Sequence, residues 1–162
     1  MTETLIKVDL SKPPQTQEVL HNRWHPDIPM IAYVKPGDEL RVECVDWTGG
    51  QIANDDVAND VRDVDLTKVH YLSGPIGVEG AEPGDLLVVD ILDIGVLPES
   101  AWGFTGIFAK TNGGGFLTNH YPDARKESVV RIYSSPNLGR MSRQNRIAWE
   151  RNDKSKHEPN TK

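Results

Sequence analysis

The chain has 162 residues, enough for one domain with a core of its own. Hydrophobic residues make up 37%, no stretch approaches the ~18 apolar residues of a membrane span, and no N-terminal apolar run resembles a signal peptide; the expectation is a cytoplasmic protein with no membrane partner. The net charge of -6 argues against a polyanion partner, and the single cysteine, Cys44, excludes an intrachain disulfide.

The charge is unevenly spread. Residues 1–130 carry 21 acidic and 10 basic side chains, whereas residues 131–162 carry 3 and 8. The basic end lacks a regular stripe or interleaved aromatics, so nucleic acid is not expected as a partner. It also loses hydrophobic periodicity, which divides the chain into a domain over 1–130 and a basic, mostly disordered tail over 131–162.

In chain order, "TLIKVDL" alternates as a strand does, and "SKPPQTQ" breaks it because proline cannot donate to a ladder. "MIAYVKPGDELRVECVDWTGG" reads as hairpin-like: a strand over Met30–Val34, a Pro36-Gly37-Asp38 turn, then alternation over Leu40–Val45 that places Cys44 inward as a buried thiol. "QIANDDVANDVRDVDLTKVH" is acidic and irregular, a surface loop or a helix of one to two turns. The Pro-Gly-Asp phrase recurs 47 residues on, in "EPGDLLVVDILDIG", and predicts a second equivalent sheet corner. The strand after it, Leu86–Ile94, is apolar on both faces and reads as central. "WGFTGIFAKTNGGGFLTNHYPD" is aromatic and glycine-rich, with Gly113–Gly115 predicting a loop that passes close to another surface. Short strands, Pro/Gly corners and little helix predict an all-β class: a β-sandwich or jelly-roll-like domain with short helical or irregular loops.

Chemistry-bearing residues are few. There is no Gly-x-Ser-x-Gly elbow, and "TNGGGFL" lacks the lysine and spacing of a phosphate loop. His21, His25, His70 and His120 are of metal-ligating type, but no cysteine pair and no helical histidine pair accompanies them. No cofactor is required by the sequence, and a divalent metal stays open. Asp46, Asp55, Asp56, Asp63 and Asp65 precede His70, and Glu79 and Glu82 follow it. A histidine flanked by carboxylates can take a proton and return it. The competing reading makes the same acids turn caps and solvated loop charges.

The motifs "HNRWHPDIP", "DWTGG", "NDD", "VRDVDL", "HYLSGPIGVEGAEPGDLLVVDILDIG" and "WGFTGIFAKTNGGGFL", in this order, resemble the N-terminal region of the formamidase/acetamidase family. The resemblance runs from about Leu5 to about Ala124. It implies an enzyme that hydrolyses formamide or a short aliphatic amide to the acid and ammonia, a β-sandwich, a homo-oligomer in full-length relatives, and a chain about twice this length or more. The present sequence accordingly reads as C-terminally truncated. On the matching motifs, the resemblance implies His70 as base or ligand with Asp46 and Glu79 as partners, Asp55 and Asp56 nearer the substrate, and Gly113 and Gly114 lining a small polar pocket. The alternative is a catalytically inactive β domain acting as a binding or assembly module.

Overall fold

The computed structural model describes residues 3–55 and 57–129; Asp56 and the tail over 131–162 lie outside the described residues. Proline, glycine and aspartate fix the corners. Gly37 and Gly84 take φ of 91° and 107°, a region that costs a residue with a Cβ. Each aspartate then closes its corner in the same way. Its N–H donates to the carbonyl three residues back, Asp38 to Lys35 and Asp85 to Glu82, both at 3.1 Å. Its carboxylate accepts from the N–H of that same residue, 2.7 Å at Lys35 and 2.9 Å at Glu82. The repeated phrase thus builds the repeated turn.

The strands around the corners are short and pair over long sequence distances. β1 (Thr4–Ile6) runs parallel to β4 (Arg41–Val42), with a register irregularity between Thr4 and Ile6. β2 (Leu20–His21) runs antiparallel to β5 (Leu72–Ser73). β3 (Ala32–Val34) runs parallel to β6 (Ile76–Val78), and β7 (Gly103–Ile107) antiparallel to β8 (Arg125–Val129). The described chain is therefore β-rich. Its helix is the five-residue α1 (Asn59–Asp63), with single turns of 3-10 helix at Pro14–Thr16 and Pro98–Ser100. The one-to-two-turn helix expected in the acidic segment is α1.

Three expectations are corrected. Met30–Val34 and Leu40–Val45 do not form a hairpin: their strands, β3 and β4, pair in parallel with β6 and β1 instead. Cys44 is exposed rather than buried, because the strand ends at Val42 and alternation carries no further inward side. The apolar run Leu86–Ile94, expected as a central strand, forms no strand among the described residues. Among the described residues it pairs with nothing, and Leu86, Val88 and Ile91 are 89%, 73% and 72% exposed. A run apolar on both faces forms a central strand only where strand edges and covering layers exist to receive it.

The core lies beneath the acidic segment. Ile52, Val61, Val64 and Val69 are buried together, with Trp47, Trp102, Phe104, Phe108 and Ala124 packed around them. Val61 supplies the buried face of α1, which explains how so short and acidic a helix persists: tertiary packing holds it, not propensity.

Candidate functional site

Asp46 organises the first half of the site. One carboxylate oxygen accepts from the Thr48 N–H at 2.8 Å and from the Thr48 hydroxyl, and the other accepts from the Gly50 N–H at 2.8 Å. Gly49, at φ 68°, lets the loop fold back, with the Tyr71 ring and Pro14 filling the space where a Cβ would stand. The carboxylate is thus occupied in shaping the "DWTGG" turn, and that turn presents Trp47.

Trp47 reaches both of the other parts. Its carbonyl accepts from the His70 N–H at 2.6 Å, and its indole lies 5.3 Å from the imidazole at 33°. Edge-on, the same indole meets Phe108 at 5.8 Å. His70 has φ 60°, the left-handed region that a non-glycine residue occupies at a cost. The backbone bond to Trp47 and the ring contact hold it there. The imidazole is exposed.

Phe108 leads into the glycine loop. The Ala109 carbonyl accepts from Asn112 and Gly114, and the Asn112 amide donates to the carbonyls of Arg62 at 2.8 Å and Val64 at 2.9 Å. A Cβ at Gly113 would stand 3.2 Å from Leu66, so the loop does pass close to another surface there. Gly114 is tight against Thr118 of its own loop, and Gly115 faces open space.

The structure therefore sets the Asp46 turn and His70 on either side of Trp47, with the Gly113–Gly114 loop behind Phe108, and among the described residues no bond joins the Asp46 carboxylate to the imidazole. Glu79 is not brought to them. It sits at the end of β6, its N–H donating to Val34 at 2.8 Å, and among the described residues no bond joins its exposed carboxylate to His70 or Asp46. Asp56 lies outside the described residues. Asp55 faces a different partner, the Lys126 ammonium, at 2.7 Å.

Lys126 is the residue that sequence reasoning missed. Its ammonium is shielded from solvent and bonds Asp55, Asp60 at 2.5 Å and the Ala53 carbonyl at 3.1 Å, tying β8 to the acidic loop. Burial pushes the Asp60 carboxyl up, but Lys126 and the Ala53 and Val61 N–H groups outweigh it and hold the pKa below the usual value. Hydrogen bonding to Lys126 lowers Asp55 likewise. The acids divide accordingly: Asp46, Asp60 and Asp65 fix backbone, as the turn-cap reading expects. For Lys126, over sixty residues away in sequence from its partners, the sequence holds no local signal.

A cleft of about 620 Å³ opens beside this region, lined by Leu20, His21, Arg23, Trp24, His25 and Tyr71 among others. Of the residues singled out in the sequence, His21 and His25 line it, and His70, Asp46, Glu79, Asp55, Gly113 and Gly114 do not, although Tyr71 adjoins His70. Among the described residues, no three His, Cys, Asp or Glu side chains converge as a metal cluster would, and no helix is long and apolar enough to cross a membrane.

Comparison with known proteins gives the frame for this geometry. The chain is 73% identical over 125 residues to the formamidase of Methylophilus methylotrophus, covering 76% of this chain and 31% of the relative. It is 63% identical over 134 residues to the acetamidase of Mycolicibacterium smegmatis, covering 78% and 33%. The solved gamma lactamase from Delftia acidovorans superposes with a TM-score of 0.79 at 62% identity, covering 81% of this chain and 32% of that one. The chain thus spans about a third of the length of these relatives. The model of the Acetamidase/Formamidase family matches residues 7–140, and the chain belongs to that family.

Proposed function

We propose that the chain carries the His70-bearing third of an amide hydrolase acting on formamide or another short aliphatic amide, a non-peptide C–N bond, to give the acid and ammonia. The observation that carries this reading is the 73% identity to a formamidase over 125 residues; the 63% identity to an acetamidase keeps the substrate class to short amides. Hydrolysis adds water across the C–N bond. A base takes a proton from water as its oxygen attacks the carbonyl carbon, and an acid returns a proton to the nitrogen, which leaves as ammonia. His70 serves as that base and returns the proton. Asp46 is a positioning residue, acting through the turn that sets Trp47 against the imidazole. Asp55, Asp56, Gly113 and Gly114 are the substrate-binding residues of this reading, and Glu79 enters it only if the rest of the family polypeptide brings its carboxylate to His70. The reading carries with it a jelly-roll-like sandwich over 1–130, a separate tail, a cytoplasmic homo-oligomer and no nucleic-acid or membrane partner. A second reading, a catalytically silent assembly module, draws on the exposed run 86–94.

Ammonia release from formamide tests the first reading. The chain is assayed alone and mixed with the separately produced remaining two-thirds of the Methylophilus methylotrophus formamidase. Activity should appear and should fall at least ~100-fold in His70→Asn, since asparagine tolerates the left-handed backbone but supplies no base. Full activity in that variant, or no ammonia in either sample, sinks the assignment.

A further inference from the structure

The segment after the second Pro-Gly-Asp corner is chemically unfinished. Seven of the nine residues from Leu86 to Ile94 are large and apolar. Leu87, Val89, Leu92 and Ile94 are each at least 65% exposed, and so both faces of the segment are bare. From Leu86 to Val96 no backbone hydrogen bond forms among the described residues. An extended run in this state lacks edge partners and layers at once. Asp90 and Asp93 punctuate it without breaking the pattern.

The gamma lactamase superposition gives the context of this segment. The backbone is kept across 81% of this chain inside a protein about three times as long. We infer that residues 86–94 form a strand whose edge partners and covering layer come from the two-thirds of the family polypeptide that this chain does not match. The occupant is thus a polypeptide with the sequence of that remainder, docking by β-strand addition: main-chain hydrogen bonds give the pairing, and side chains on both faces give the register. Because this rests on the same kinship as the hydrolase reading, its test uses readouts independent of ammonia.

The full chain is mixed with the separately produced remainder of the Methylophilus methylotrophus formamidase, and amide hydrogen exchange and mass are followed. A 1:1 complex is expected, with exchange over 86–96 slowed at least ~100-fold and Val89→Pro abolishing it. That variant leaves the described fold standing, since the segment makes no backbone bond of its own. A complex in which these amides still exchange freely overturns the inference. So does protection of the same amides in the chain alone as a dimer, which would make a second copy the occupant. Should the remainder fail to fold by itself, a proline at the equivalent position in the intact formamidase decides: a large drop in melting temperature supports the strand, and an unchanged one overturns it. Protection without ammonia release would uphold the docking and remove the hydrolase.

Discussion

Lys126 shows how much one side chain can hold. Its ammonium satisfies two carboxylates and a carbonyl on a loop that shares no local sequence with it. Replacing it with methionine keeps the stem and removes the charge, leaving Asp60 with reduced compensation beneath the surface. The pair is shallow, so the loss belongs at the lower end for such contacts, about 1–3 kcal/mol. Urea unfolding of Lys126→Met against wild type measures it; a midpoint shift near zero would mean that water already screens the pair. His70 works in the opposite sense, since its left-handed backbone spends stability on a fixed imidazole.

Among the elements, the corners were the most legible and the strand pairings the least. Two glycines test why. Gly37 and Gly49 both have positive φ, but open space surrounds Gly37, whereas a Cβ at Gly49 would stand 2.5 Å from the Tyr71 ring. Gly37→Ala should cost about 1 kcal/mol, the backbone term alone, and Gly49→Ala at least ~2 kcal/mol. Equal losses in thermal or urea melts would show that Tyr71 simply swings aside. The backbone term can be read from a Pro-Gly-Asp triplet, but the ring cannot. The same limit explains why the expected hairpin does not form: turn chemistry fixes the local bend, while β3 and β4 choose partners over forty residues away in one case and some thirty-five in the other. Of the candidate site, the sequence offers His70 and Asp46 as residue types; that Trp47 lies between the Asp46 turn and the imidazole is visible only in the structure, because a spacing argument treats a tryptophan there as core. Nearness in sequence groups Glu79 with them, and the end of β6, where its N–H donates to Val34, makes no bond to either among the described residues.

For the molecule as a whole, acid is the natural probe. Hydrogen bonds from the Ser11 side chain to Asp9 and from the Thr67 side chain to Asp65, each backed by a lysine, hold both carboxyls down at about 2. The unfolded chain has them near 3.9. Depressed values lend stability that is complete above the unfolded pKa and lost as pH falls through the folded one. The melting temperature of wild type should therefore exceed that of Asp9→Asn/Asp65→Asn at pH 6, and the gap should close between about pH 4 and pH 2. A gap that stays constant to pH 2 would assign the effect to something other than ionisation. At this scale the sequence's largest error, the central strand at 86–94, was an error of company. Burying even half of those seven side chains is worth about 5–10 kcal/mol, comparable to the whole net stability of a small domain.

The early end of β4 leaves Cys44 facing solvent, and the sequence has no other thiol. One maleimide dye or nitroxide would therefore attach at a single known point without any engineered cysteine. Fluorescence or electron-resonance distances from that tag could follow assembly in real time, on unmodified sequence.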